Sequence, residues 1–324
     1  MPNVLTHYLH ASEVKEGLEK KNSVLDCIEL FPKEFSIGSS GPDFLFYYDV
    51  FPWQSAKKNK QYASYGGLVH REKINDFYQR AVELCIAEKD TSKKKSMLSF
   101  LAGHLCHWAL DSQAHPMIFY RTNGTTKETR YWHYRYESMI DTYMAEYKGK
   151  SPLKNYPTAK IIQYDKKTVK AISSIYSPVL KELWDVDLEE SAVEKSLHDF
   201  KAACRILFNP SNYFFYFIQI LETIVGLKWI FSSHMIIGKK DLKHDILNEN
   251  HHKWNNPSDL SIVSHDSFLD LYDRAVQLAT QAITLLEEAL QTKDTSKLVA
   301  FLNNRSYETG LPTYKKMQYY NSIY

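Results

Sequence analysis

The sequence predicts an all-α fold, a multi-helix bundle with a helical C-terminal extension. Apolar residues recur at i, i+3 and i+4 over most of the 324 residues, the spacing of one buried helix face. Runs that alternate apolar and polar are scarce, and no Asn-Gly or Asp-Gly turn joins two of them. No period of solenoid length repeats along the chain.

The elements follow in order. Residues 12–21 read as a helix with Ser12 as its N-cap, and residues 23–31 as a second that ends before Pro32. Ser36 to Gly67 reads as a long loop, because Gly38, Gly41, Pro42, Pro52, Gly66 and Gly67 interrupt it. Long irregular loops are often functional, and this one delivers Asp43 and, just after its end, His70. Residues 72–89 place Ile74, Phe77, Tyr78, Ala81 and Cys85 on one stripe. A helix from Ser92 to about Ala114 follows, capped by Thr91 or Ser92, with Pro116 beyond its end. Thr126 begins the next, over 126–147, with Glu128 and Thr129 in its first turn. After the prolines at 152 and 157 come four more patterns, at 166–184, 189–207, 211–237 and 265–292. The division expected is a metal-site domain over 1–158 and a helical region over 159–324 packing on it.

Composition excludes several classes. The net charge of +2, with lysines only in short runs, does not favour a nucleic-acid partner. Cys27, Cys85, Cys106 and Cys204 stand singly in apolar segments, so no disulfide framework and no cysteine-ligated metal is indicated. Reduced thiols and the absence of a signal-like N-terminus make the cytoplasm the expected location. The most apolar run, Tyr213 to Ile237, holds Gln219, Glu222 and Lys228 near its centre. Those groups argue against a membrane span. A buried helix is the expectation, with an aromatic surface that touches lipid as the alternative.

The chemistry concentrates between Gly103 and Glu137, which hold His104, His107, His115 and His133. Asp111 follows His107, and Glu137 follows His133, each by four residues. With 13 histidines and 38 acids in the chain, about 1.5 such pairs arise by chance, so context must carry the reading. Both pairs lie on successive expected helices. A step of four turns about 40° around a helix, so His107, Asp111 and His115 form one slowly drifting stripe. Leu98, Phe100, Leu101, Leu105, Trp108, Ala109 and Leu110 frame that stripe, which turns its polar groups inward. Buried imidazoles and carboxylates need partners, and a metal ion satisfies several at once. His10 and His104 read instead as hydrogen-bonded core residues. His244, His251, His252 and His265 read as surface.

These residues carry a family resemblance. MPNVLTHYLHA with His7, GSSGPDFLFYY with Asp43, GGLVHRE with His70, AGHLCHWALDSQAHP with His107, Asp111 and His115, and WHYRYESMID with His133 and Glu137 occur in that order. Together they resemble the zinc-dependent phospholipase C family, whose relatives include the S1/P1-type nucleases, over roughly the first 150 residues. The resemblance implies an all-helical fold around two or three zinc ions. One zinc would take His70, His107 and Asp111, with Asp43 a ligand or the general base. A second would take His115, His133 and Glu137. Asp111 would bridge to a third position that uses His7. The resemblance does not extend to the N-terminal tryptophan that binds the third zinc in secreted members, which makes two zinc ions the expectation. His115 here precedes Pro116, whereas the histidine follows the proline in those enzymes.

The function implied is hydrolysis of a phosphodiester, phospholipid among the substrates, by metal-activated water. Asp43 would orient or deprotonate that water, and Asp141 would hold a ligand imidazole in its working tautomer. A nuclease, a phosphatase of small phosphoesters and a non-catalytic helical metal-binding protein are the alternatives. No protein partner can be read from the sequence.

Overall fold

Thirty-one residues, Thr91–Arg121, run as one helix through the middle of the protein. In the computed structural model, which describes residues 4–123, 130–227, 229–312 and 315–321, this helix is α6. Before it come α1 (Val4–Gly17), α2 (Ser23–Leu30), α3 (Pro32–Gly38), a 3-10 turn at Gly41–Tyr47, α4 (Ala56–Arg71) and α5 (Ile74–Ala87). After it come α7 (Arg130–Tyr147), α8 (Lys166–Trp184) and α9 (Glu190–Leu207). Then follow β1 (Phe208–Asn209), α10 (Tyr213–Ile224), β2 (Ile236–Ile237), β3 (Trp254–Asn256), β4 (Asp259–Ser264), α11 (Phe268–Thr292) and α12 (Ser296–Leu302). The fold is all-α. Among the described residues the strands make only a parallel pair, Phe208 opposite Ile236, and an antiparallel pair, Trp254 opposite Ser264.

Helix α6 is buried on nearly every side from Ser96 to Phe119. α1, α2, α3, α5, α7, α8 and α11 all pack on it. At 1.5 Å per residue it is about 46 Å long, enough to span a domain. Asp90 caps its start, where its carboxylate accepts from the Ser92 and Lys93 amides at 2.9 and 3.0 Å. The closest crossing is with α3. A Cβ at Gly38 would overlap the Phe100 carbonyl, and one at Gly103 would overlap that of Phe35. The two backbones therefore touch, closer than the 8–10 Å of ordinary helix pairs. On the opposite flank, α11 supplies Leu271, Ala275, Ala279, Ala282, Ile283 and Leu286 to the core, and each fully buried Leu or Ile contributes about 1.5–3 kcal/mol.

Several boundaries differ from the sequence expectation. The first helix begins at Val4, and Ser12 lies inside it, its hydroxyl donating to the Tyr8 carbonyl rather than capping. The expected loop at 36–67 contains the 3-10 turn and α4. Ser55 caps α4, and Gly66 lies in it close against the Phe46 ring. α6 runs through Pro116 instead of stopping before it. The carbonyl that Pro116 leaves without an amide belongs to Ser112, and it abuts Gly310. Thr126, Glu128 and Thr129 lie outside the described residues, as do Pro2 and Lys228. α12 has only seven residues, too short for a periodic signal.

The largest correction concerns 211–237. The helix ends at Ile224. Glu222 folds the chain back, its carboxylate accepting from the Phe231 amide, the Ser232 amide and the Ser232 hydroxyl. Within α10, only Phe215 and Glu222 are buried, so the apolar run is mainly a surface feature and not a core helix. Among the described residues, no helix is long and apolar enough to cross a membrane.

The α3–α6 crossing yields a stability test. Gly103→Ala, which pushes Cβ into backbone, destabilises by about 1–3 kcal/mol in urea unfolding. Gly17→Ala, whose added methyl meets nothing within 4 Å, leaves the midpoint unchanged or raises it. Equal midpoints for the two variants would contradict the close crossing.

Candidate metal centre

Seven of the eight candidate ligands sit on four helices, and Asp43 sits on the 3-10 turn. α1 supplies His7, α4 supplies His70, α6 supplies His107, Asp111 and His115, and α7 supplies His133 and Glu137. All eight are buried. Two groups of three bring donor atoms within 4.8 Å of one another: His7, His107 and Asp111, and Asp43, His70 and His107. His107 belongs to both. Its Nε2 lies 3.0 Å from Asp111 Oδ2 and 3.7 Å from Asp43 Oδ1. His7 Nε2 stands 3.2 Å from Asp111 Oδ1, and His70 Nε2 stands 3.2 Å from Asp43 Oδ1 and 3.9 Å from Asp111 Oδ2.

The imidazoles are oriented from behind. His70 Nδ1 donates to the Gly66 carbonyl at 2.8 Å, His107 Nδ1 to that of Ser39 at 3.1 Å, and His115 Nδ1 to that of Tyr307 at 2.8 Å. A carbonyl can only accept, so each Nδ1 carries hydrogen, and in the neutral ring each Nε2 keeps a lone pair. Metal-ligating histidines are held this way. His133 Nδ1 meets the Thr122 hydroxyl at 3.2 Å. Gly41, at φ +50°, lies so close to the His107 ring that a Cβ would overlap it. That left-handed residue, open to glycine at little strain, turns the chain so that Asp43 follows two residues later.

Asp141 lies elsewhere than expected. Its carboxylate accepts from the Leu5 amide at 3.1 Å and from the Thr6 amide and hydroxyl at 2.8 and 2.6 Å. It thus anchors the first turn of α1, and with it His7, through backbone instead of through an imidazole.

Electrostatics couple the group. Burial alone would keep Asp111 protonated, but His107, His115 and His7 outweigh it and hold the carboxyl well below its ordinary range. Burial likewise disfavours the charged form of His107, yet Asp111 and Asp43 raise it above the usual histidine value. Burial, with His107 beside it, lowers His7 to about 4. It drives His115 and His133 well below normal as well, so these rings are neutral ligands at neutral pH.

The donor set fits a metal. His7 Nδ1 and Nε2, Asp43 Oδ1, His107 Nε2, both Asp111 oxygens and His115 Nε2 are buried without a hydrogen-bond partner. They approach one another at 3.0–3.7 Å, which is the spacing of atoms aimed at a shared point. Ligands at 2.0–2.1 Å from a tetrahedral Zn²⁺ stand about 3.3 Å apart. The third expected set is looser. Glu137 Oε1 lies 2.9 Å from His133 Nε2 and 3.9 Å from His115 Nε2, but these three do not form a further compact group among the described residues.

The residues 6–191, which include every candidate ligand, match the family model described as zinc dependent phospholipase C. The chain belongs to the zinc-dependent phospholipase C family. The match reaches beyond the roughly 150 residues over which motifs stand out. The chain has no significant match among curated proteins and none among solved structures.

His104, His251, His252 and His265 are where the sequence reading put them, whereas His10, expected to be hydrogen-bonded, is buried with no hydrogen-bond partner on either ring nitrogen among the described residues, and His244, expected at the surface, is half-buried. His104 is buried, with Tyr78 and Tyr176 hydroxyls at 2.8 Å on its two nitrogens. His10 is buried edge-on to Tyr272. His251, His252 and His265 are exposed, and the half-buried His244 pairs with Asp241. The residue that sequence reasoning misses is Tyr307. Its carbonyl holds His115, its amide donates to the His70 carbonyl at 3.0 Å, and its ring lies 5.1 Å from the His70 ring. It stands outside the matched segment, and the atoms it uses are mainly backbone, so no side-chain motif announces it.

Zinc added to chelator-treated protein should raise its Tm, by about 2.7 kcal/mol of stabilisation at a hundredfold excess over Kd. His107→Ala and Asp111→Ala should abolish most of that shift. No shift in the unaltered protein, together with less than one zinc per chain by elemental analysis, would refute the metal centre.

Proposed function

We propose that the protein is a zinc-dependent phosphodiester hydrolase of phospholipase C type, in which activated water attacks phosphorus. The observation that supports this most is Asp111, a buried carboxylate facing His7 with one oxygen and His107 and His70 with the other. A carboxylate so placed suits two neighbouring cations. Bound zinc supplies a Lewis acid that acidifies water and neutralises phosphate oxygens. The chain's own groups do the rest. His70 and His107 are held by backbone carbonyls in the tautomer that keeps Nε2 available. Asp43 is less buried than Asp111, so of these two carboxylates it is the more open to water. We assign it the task of orienting that water or taking its proton. We assign His115, His133 and Glu137 to a second zinc, and His7 to a third position that shares Asp111.

We read residues 1–158 as the metal-site unit and 159–324 as the helical region that packs on it and returns Tyr307 to the ligands. The four cysteines are buried free thiols, which supports a reducing compartment, the cytoplasm.

Asp43→Asn should lower turnover of a choline phosphodiester analogue by about 10²–10⁴-fold while zinc content stays at the unaltered level. Undiminished activity would remove Asp43 from the chemistry. Zinc binding without hydrolysis of any phosphoester would leave a structural metal protein. Cleavage of single-stranded DNA in preference to the choline ester would make the protein a nuclease.

A further inference from the structure

We propose that α10 docks the protein on a lipid surface that carries anionic headgroups. The helix and the turn after it expose Tyr213, Phe217, Ile220 and Ile224 at 82, 54, 59 and 74%. Phe214, Tyr216, Leu221, Val225, Leu227 and Phe231 are exposed beside them. A contiguous apolar surface of this kind marks an interaction site. Twelve residues are too few to span a bilayer but suffice to lie in its interface, with aromatic rings at headgroup level.

Charge selects the occupant. Between Arg205 and Lys240 the only acid is Glu222, and the bases are Arg205, Lys228, Lys239 and Lys240. Glu222 is buried, and both its oxygens accept from Phe231 and Ser232, so the face presents no carboxylate of its own. Lys239 Nζ stands 5.9 Å over the Tyr216 ring at the edge of the patch. Lys240 is paired with Glu146. A groove of about 450 Å³ beside β1, which leads into α10, is lined by Lys160, Lys201 and Arg205 with no acid among its walls. Apolar side chains with a cationic margin suit a bilayer with anionic lipid better than the flank of another protein.

The patch is fastened to the metal-bearing part of the fold. Arg135 of α7 lies 5.1 Å from the centre of the Phe215 ring and donates to the Met235 carbonyl. His133 and Glu137, on the same helix, face the metal centre. One helix thus separates the docking face from the candidate ligands. The proposal concerns binding, so it stands or falls apart from hydrolysis.

The test is co-sedimentation of the full chain with vesicles of phosphatidylcholine alone and with about 30% phosphatidylserine. The unaltered protein should bind the mixed vesicles more tightly. Ile220→Asp with Ile224→Asp, both exposed positions, should weaken binding roughly tenfold or more on both vesicles. Lys239→Glu should weaken it about fivefold or more on the anionic vesicles and little on the neutral ones. An unchanged circular dichroism melt checks folding, and binding should persist after chelation. Failure of the unaltered protein to sediment with either vesicle would overturn the proposal. So would equal binding by the double variant. A concentration-dependent dimer that the double variant abolishes, without vesicle binding, would assign the face to a second copy of the chain instead.

Discussion

The structure is organised around one constraint, an ionised carboxylate in the middle of a helical core. Asp111 is fully buried on a helix whose other neighbours are Leu105, Trp108, Ala109, Leu110 and Ala114. A charge there is tolerable only with opposite charge close by. Three histidines lower its pKa, but their own burial works against carrying that positive charge. Protons alone therefore satisfy the cluster poorly, because each one desolvates a cation to neutralise an anion. A divalent metal would resolve the conflict, since it brings more charge per site and accepts lone pairs from neutral imidazoles.

That constraint explains placements far from Asp111 in sequence. The α3–α6 backbone contact brings the Ser39 carbonyl to His107. Asp141 fixes the first turn of α1, so that the ring of His7 stacks on that of His107 at 4.2 Å. The segment at Ser306–Gly310 returns to α6, where the Tyr307 carbonyl holds His115 and the Tyr307 hydroxyl joins Tyr78 beside His104. Each of these devices acts on the orientation of a ring rather than on its identity.

That distinction marks how far the sequence could be read. Ligand types are legible because the chemistry demands imidazole and carboxylate, and because α6 repeats them every four residues. The all-helical class is legible from periodicity, and most boundaries after Pro157 follow from it. What holds the ligands is mainly not legible. The carbonyls of Ser39, Gly66 and Tyr307 could belong to any residue, and a glycine pair that permits a helix crossing looks like a glycine pair in a loop. For the same reason the segment before His70 hides a helix, since Gly66 and Gly67 signal a break that packing against Phe46 overrides. The run at 211–237 misleads differently. Hydrophobicity predicts burial only if a partner exists inside the chain, and for most of α10 none does.

The buried centre and the exposed helix then share one physical logic. A chain that places eight candidate ligands in a buried interior needs the surrounding helices held rigidly, and α7 is held on both of its faces. One face carries His133 and Glu137. On the other, Arg135 is fixed by Phe215 and the Met235 carbonyl, and the Ser138 and Thr142 hydroxyls donate to the carbonyls of Ser233 and Ile237. The segment from α10 to β2 is thus a brace before it is anything else. A brace needs only its inner surface to be apolar. Phe215 meets that need by itself on α10, and nothing in the support of α7 accounts for Tyr213, Phe217, Ile220 and Ile224 on the outer side. Exposed apolar side chains in that number carry a solubility penalty, so their placement calls for a use outside the fold, and the brace is where such a use would couple most directly to the ligands.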